Sequence, residues 1–326
     1  MAPVGIGLIG LGRHGMRYAQ HLLEPLANAR LVAVSRRDAA QGASFAANHH
    51  VQFYPDYRDL IADLRVQAVV VVTPPSLTRS ICLEAVQAGK PLLIEKPLAT
   101  TGSAAREMVR AAVSAQVPLM TAQTLRFEAT VLAMKAELAA VGTPQYFVLT
   151  SRVEPRPEVW REPTDYAGRG VLLEIGIHLL DLVRFLTGEE VAEVRCELDR
   201  AAPGKPESRA LVSLRTSTNL AGIVDVSRVT GGRISRAEWV GTGGQMIADW
   251  VQHSLRAVSS GNIVKDRRLE YKPTVAAVLQ AFCNSLEHGT PMPVTGWDGQ
   301  RAVEIADACY QSAETGVTVR VDPGQR

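Results

Sequence analysis

Short apolar runs alternate with helix-like segments through the first third of the chain. Residues 4–9 form such a run, followed by a cluster of glycines and a helical pattern over 16–26, and 30–35 reads as a second strand. The alternation continues with a helix at 57–64, a strand at 68–72, a helix at 77–88, a strand at 91–94, a helix at 102–115 and a strand at 119–125. Uninterrupted apolar strands mark a sheet buried on both faces, and helices between them predict parallel pairing, hence an α/β domain. Beyond that point the period changes. Residues 146–153, 191–198, 209–216 and 221–229 have strand composition, several with period-two alternation, and Gly231-Gly232 and Gly243-Gly244 mark turns between further short strands. Two late segments, 275–288 and 298–313, read as amphipathic helices. The change of pattern divides the chain into a domain of residues 1–124 and a β-rich domain of residues 125–326.

One segment of the second part departs from both patterns. Residues 168–186 are apolar on nearly every side, the mark of a buried helix, with Thr187-Gly188 as its stop signal. Glu174, His178 and Asp181 interrupt it at spacings of four and three, which on a regular helix form one stripe. Carboxylates are costly to bury unpaired, so the stripe is expected to face a cleft, where a carboxylate beside a histidine can carry acid/base chemistry. The bland alternative is a buried polar network that only joins two layers.

Composition narrows the class. The chain has 326 residues, 46% hydrophobic and 21% charged, with a formal net charge of +2, values of an ordinary globular protein without the basic face of a nucleic-acid binder. Cys82, Cys196, Cys283 and Cys309 lie far apart without metal-ligand spacing and are expected to be reduced, buried thiols of a cytoplasmic protein that holds no metal. No apolar run reaches membrane-spanning length, and no basic region precedes the first strand.

The candidate chemistry of the first domain begins at Gly10-Leu11-Gly12-Arg13-His14-Gly15, a strand–turn–helix fingerprint for a dinucleotide. The first glycine allows the tight turn, the second lets backbone approach a pyrophosphate, and the third lets helix pack on strand. At the end of the second strand an NAD enzyme usually places a carboxylate on the ribose hydroxyls. This chain has Ser35-Arg36-Arg37, with Asp38 only afterwards, a hydroxyl and guanidinium groups suited to a 2′-phosphate. Thr73-Pro74-Pro75 and Glu95-Lys96-Pro97 follow at the carboxyl ends of later strands, where ligands collect in open α/β sheets. Lysine is scarce here, six residues in all, and Lys96 taken alone reads as an exposed loop lysine.

These residues resemble the Gfo/Idh/MocA oxidoreductases. The resemblance runs almost end to end, through 7–12, 88–97 with its Glu-Lys-Pro, 170–178 with its Gly-x-His, 240–244, and 296–304 with 308–313. It implies an N-terminal Rossmann dinucleotide-binding domain and a C-terminal α+β domain with a mostly antiparallel open sheet, the active cleft between them. It also implies hydride transfer between a nicotinamide cofactor and a sugar, cyclitol or related alcohol, usually without metal. The lysine of the family's Glu-Lys-Pro falls on Lys96 and its helix histidine on His178. Two departures stand out: Glu174 where the family carries aspartate, and Gly168-Arg169-Gly170 for its triple glycine.

The expectation is thus an oxidoreductase that prefers NADP(H), accepts NAD(H), and acts on a secondary alcohol or ketone of a sugar or polyol. Lys96, Glu174 and His178 are its candidate catalytic residues. Gly10, Gly12, Arg13, His14, Gly15, Ser35, Arg36, Arg37, Thr73, Pro74, Pro75, Glu95 and Lys96 are candidates for the cofactor. Arg126 and Arg169 join Lys96, Glu174 and His178 for the substrate, and Arg152, Arg156 and Arg161 lie along the approach to the helix. Asp181 is expected to be a structural partner. The second domain is also expected to bind further copies of the chain, as a homodimer or homotetramer, through the uncovered face of its sheet. The alternative is a sensor of the same fold that binds dinucleotide and ligand without turnover.

Overall fold

The computed structural model describes residues 3–24, 28–155, 166, 168–200 and 205–324. The first part of the chain runs β1 (Val4–Ile9), α1 (Arg13–Leu23), β2 (Ala29–Ser35), α2 (Ala39–His49), β3 (Gln52–Tyr54), α3 (Tyr57–Ala62), β4 (Ala68–Val71), α4 (Pro75–Gln87), β5 (Leu92–Glu95), α5 (Gly102–Ser114) and β6 (Leu119–Ala122). Among the described residues these strands form one parallel sheet in the order β3-β2-β1-β4-β5-β6. The order reverses at β1 and β4, the switch point outside which dinucleotide folds bind their ligand. β4, β5 and β6 are buried at every position, which is why they read as unbroken apolar runs. Neither α2 nor β3 carries a clear periodic signal in the sequence. α2 is rich in alanine and small residues with little periodicity, and it starts where Asp38 accepts from the Gln41 N–H. The first expected helix extends to Leu26, which lies outside the described residues. The last expected strand stops at Ala122, where a 3-10 turn, Thr124–Phe127, takes over.

The second part contains α6 (Ala129–Glu137), β7 (Pro144–Arg152), a π-helical turn (Leu172–Gly176) that runs into α7 (Ile177–Thr187), then β8 (Val191–Arg200), β9 (Glu207–Thr216), β10 (Ala221–Ser227), β11 (Ile234–Gly241), β12 (Gly244–Asp249), β13 (Ser254–Ser259) and β14 (Asn262–Arg268). α8 (Thr274–His288), α9 (Gly296–Thr315) and β15 (Val319–Arg320) follow. The second sheet runs β14-β13-β12-β11-β7-β10-β9-β8-β15, antiparallel at every join except the parallel pair β7–β10. α7 ends at Gly188, whose φ of 74° is the left-handed conformation that the Thr187-Gly188 signal predicts.

The chain forms two compact units, residues 1–123 with 273–300, and 124–272 with 301–326. The boundary near residue 124 is where the sequence pattern changes, but assigning all of 125–326 to the second domain is incorrect. Asn28 donates to Asn284 and Glu287 and accepts from Gln280, which fixes α8 in the first unit. Thr295 bridges to Met120 of β6. A Cβ at Gly299 would stand 2.2 Å from the Thr121 hydroxyl, so glycine lets the first turn of α9 lie directly on β6.

Candidate active site

In the first unit the glycine turn has the geometry of an anion cradle. Gly10 has φ +100°, and a Cβ there would meet the Val72 carbonyl oxygen at 2.3 Å; a Cβ on Gly15 would meet the Gly10 carbonyl oxygen at 1.9 Å. These two are glycines because protein fills the space. At Gly12 a Cβ would meet nothing within 4 Å, although the residue is the N-cap of α1 and no side chain caps that helix. The open space and the uncapped helix start suit a phosphate group, which the positive end of α1 favours. Thr73, just past β4, holds a buried hydroxyl oxygen with no hydrogen-bond partner among the described residues. The residues present therefore fit a dinucleotide.

A cavity of about 710 Å³ extends from this turn toward α2, with Gly12, Arg13, Arg36, Gln41, Ser44 and Asn48 among its lining residues. Ser35 is buried at the end of β2, Arg36 is half-buried and Arg37 is exposed. Asp38, the carboxylate nearest in sequence, accepts from the backbone N–H of Gln41 at 3.0 Å and its side-chain amide at 2.6 Å. It is engaged in capping α2, so the end of β2 presents Arg36 to the cavity, while Arg37 is not among the lining residues.

The Glu95-Lys96-Pro97 segment leaves the carboxyl end of β5. The Glu95 carboxylate, 6% exposed, accepts from His14 Nε2 at 2.8 Å, from the Tyr18 hydroxyl at 2.6 Å and from the Lys96 backbone N–H at 2.9 Å. Burial by itself raises a carboxyl pKa; the His14 hydrogen bond, the charges of His14 and Lys96 and the Tyr18 hydroxyl outweigh it and hold Glu95 at about 2. The same burial, reinforced by Glu95, pushes the Tyr18 hydroxyl well above its ordinary range. Glu95 thereby ties the first turn of α1 to the base of the lysine loop. Thr78 secures the loop's far side by donating to Pro75 and Leu98 carbonyls. Lys96 is half-buried, not the exposed loop lysine of the bland reading.

In the second unit the carboxylates of the helix are held by arginines. Glu174 lies in the π-helical turn that leads into α7. Its carboxylate, 3% exposed, is gripped by Arg228, with Nε at 3.1 Å and Nη2 at 2.9 Å, while Arg228 Nη1 donates to the Glu154 carbonyl. Glu174 is therefore the charge partner of Arg228. Asp181 accepts two bonds from Arg126, at 2.6 and 2.7 Å, with both residues buried. Arg126, a substrate candidate, is thus the partner of Asp181, which agrees with a structural role for that carboxylate. Arg169, another substrate candidate, donates from Nη1 to Asp307 at 2.5 Å, and its guanidinium lies 4.4 Å from the Tyr310 ring centroid. Arg152 pairs with Asp225, while Arg156 and Arg161 lie outside the described residues. His178 is half-buried on the first turn of α7.

Residues that the sequence reading did not single out complete this half. Glu207, at the start of β9 and 3% exposed, accepts from the Gly170 N–H with both oxygens, from the Leu172 N–H and from the Tyr310 hydroxyl. Arg228 and Glu207 lie at strand ends, and no local pattern marks them.

Comparison with known proteins agrees with both halves. Residues 4–123 match the family model described as an oxidoreductase family with an NAD-binding Rossmann fold, and residues 131–247 match the GFO/IDH/MocA C-terminal domain. The chain is 30% identical to an inositol 2-dehydrogenase of Acidothermus cellulolyticus, covering 98% of this chain and 96% of that protein. It is 31% identical to a 1,5-anhydro-D-fructose reductase of Ensifer adhaerens, over 90% of this chain and 92% of that one. The crystal structure of a probable dehydrogenase from Thermotoga maritima superposes with a TM-score of 0.84 at 27% identity, covering 98% of this chain and 99% of that chain.

Proposed function

The chain belongs to the Gfo/Idh/MocA oxidoreductases, and we propose that it transfers hydride between NADP(H) and a secondary alcohol or ketone carbon of a sugar or polyol. The observation that carries this reading is the cavity beside the glycine turn, where Arg13 and Arg36 are lining residues and Asp38 is withdrawn into the cap of α2. A carboxylate at that position would repel a 2′-phosphate; guanidinium groups form charge-assisted bonds to one. Gly12 would admit the pyrophosphate over the turn that Gly10 and Gly15 allow, with Thr73, Pro74 and Pro75 along the next strand end.

Nicotinamide, when bound, supplies the acceptor or donor of hydride. In the oxidative direction Lys96 donates a hydrogen bond to the reacting oxygen and stabilises negative charge there. His178 takes the hydroxyl proton as the carbon–hydrogen bond breaks. Glu174, paired with Arg228, keeps the charge of that arginine balanced on the helix that carries His178. The relatives named for inositol and for 1,5-anhydro-D-fructose support a sugar or polyol as substrate. The decisive experiment follows NADPH absorbance with 1,5-anhydro-D-fructose and a ketosugar panel, and NADP+ reduction with myo-inositol and related polyols. Turnover with at least one, and with a higher kcat/KM for NADP(H) than for NAD(H), is expected. Tight cofactor binding with no turnover in either direction would instead support the sensor role.

The same reading extends to assembly and location. Tyr146 and Ile223 are 47% and 46% exposed on the adjacent strands β7 and β10, and the cavity of about 600 Å³ beside them also borders Arg195 and Arg215. Such a face supports a homodimer or homotetramer. Light scattering tests it, and a monomer at working concentration would overturn it. All four cysteines are free and buried, which supports the cytoplasm. No helix among the described residues is long and apolar enough to cross a membrane.

A further inference from the structure

The helix that carries His178 begins without a cap of its own. The residues before it, Gly168-Arg169-Gly170, offer no side-chain acceptor at the right place, and Val171, at the N-cap of the π-helical turn, makes no capping bond. The first amides are satisfied from 37 and 35 residues away. Gly170 N–H donates to both Glu207 oxygens at 2.8 Å, and Leu172 N–H donates to Oε1 at 3.1 Å. The Tyr310 hydroxyl, on α9, donates to the same Oε1 at 2.7 Å. A Cβ on Gly170 would stand 2.1 Å from the Glu207 carbonyl oxygen, so only glycine lets β9 bring its carboxylate this close. Burial and the Glu207 charge raise the Tyr310 hydroxyl above its ordinary range, which keeps it a donor. Arg169, against the Tyr310 ring and bonded to Asp307, closes the assembly from outside.

We propose that Glu207, held by Tyr310, is a positioning residue for hydride transfer: it fixes the start of the π-helical turn and so the placement of His178, eight residues along the same helix. This rests on the proposed role of His178 as the proton acceptor. A carboxylate at a helix start is favoured by the helix dipole, and here it is also the acceptor that two buried amides need. Without it the first turn must shift or fray to find other partners. His178 follows on the same rod, and a displacement of about 1 Å at a reacting group costs on the order of a hundredfold in rate. Asp181, bonded to Arg126 less than one turn later, holds the helix downstream and does not restore its start.

The test compares Glu207→Gln and Tyr310→Phe with the unmodified full-length protein by four readouts. These are amide hydrogen exchange across residues 168–178, the pH titration of the His178 imidazole by NMR (its signal identified by loss in His178→Ala), NADPH affinity, and turnover of 1,5-anhydro-D-fructose or myo-inositol. Tyr310→Phe is the mild variant, which keeps the aromatic contact with Arg169 and removes one bond. Exchange is expected to quicken and the His178 titration to move in both variants. Turnover should fall about tenfold in Tyr310→Phe and about a hundredfold in Glu207→Gln, with NADPH affinity within about twofold of the unmodified protein. Unchanged exchange in both variants would overturn the capping contact. Faster exchange with an unmoved His178 titration and unchanged turnover would overturn the positioning role. If His178→Ala kept nearly full turnover, the proposed reaction chemistry would fail instead, and the exchange result would still decide the contact.

Discussion

Of the described helices that start without a side-chain cap, α1 and the π-helical turn before α7 resolve the shortage in opposite ways. At α1 no side chain reaches the first turn, and the space over Gly12 is empty of protein. At the π-helical turn before α7 the amides of Gly170 and Leu172 are taken by a carboxylate from β9. A missing cap in the sequence therefore does not mark a ligand site. It marks a demand, and the tertiary fold decides whether a ligand or a remote side chain meets it. The first unit leaves its helix start open, at the place proposed for the cofactor's pyrophosphate. The second closes its helix start and then holds the polar residues that follow with further remote pairs, Arg228 on Glu174 and Arg126 on Asp181.

If that contrast is correct, substitutions in the second region should act first on stability and those in the first region on ligand binding. The largest effect is expected from Arg126→Ala, which leaves the Asp181 carboxylate, 1% exposed, without its bidentate partner. Breaking one side of a buried pair costs about 3–5 kcal/mol. Urea unfolding should show a midpoint lowered accordingly, and a loss below about 1 kcal/mol would mean that the pair is solvated in solution. Next comes Lys96→Ala. Turnover should fall about a hundredfold or more, the scale of losing one donor to a developing oxyanion, with stability and NADPH affinity little changed. Turnover within a few-fold of the unmodified enzyme would remove Lys96 from the chemistry.

Arg36→Asp is the corresponding change at the open end of α1's cavity. Each charge-assisted bond to a 2′-phosphate contributes about 1.5–3 kcal/mol, so the preference for NADP(H) over NAD(H) should shrink tenfold or more, or reverse. Affinities for both cofactors from fluorescence titration check it. Equal affinities in the unmodified protein would show that Arg36 only lines the cavity.

The same contrast explains what was legible in the sequence. The glycine turn, the alternating strands and the Glu-Lys-Pro segment follow from backbone geometry and burial over a few residues, and each is written locally. Glu174, His178 and Asp181 could be located but not paired. Their partners Arg228 and Arg126 lie 54 and 55 residues away, and no spacing rule connects them. The π-helical turn was hidden for a related reason: its sequence is as apolar as a regular helix. The return of 273–300 to the first unit has a faint signal in Gly296 and Gly299, which reads as a close helix–strand contact only once β6 is known to be the partner. The capping of α2 by Asp38 became visible only with the helix itself.

Glu95 is where the first region borrows the device of the second, and it gives the smallest expected effect. Its buried carboxylate joins His14, on the first turn of α1, to the lysine loop, as Glu207 joins two elements in the other unit. Its folded pKa of about 2 lies below the ordinary 4.5, so the folded state favours the charged form. The stability this contributes is complete above the ordinary value and is lost as pH falls from there through the folded value. Glu95→Gln keeps the shape and carries no charge, so it should be less stable than the unmodified protein near neutrality. The gap between the two should close progressively as pH drops from about 5 to about 3, with urea midpoints measured for both proteins at each pH. Because half of the His14 side chain faces solvent, part of the pairing is screened and the gap will be modest. A gap that stays constant over that range would mean that Glu95 acts through its shape and hydrogen bonds alone. The link between α1 and the lysine loop would then be steric, and the two regions would differ more than the shared carboxylate device implies.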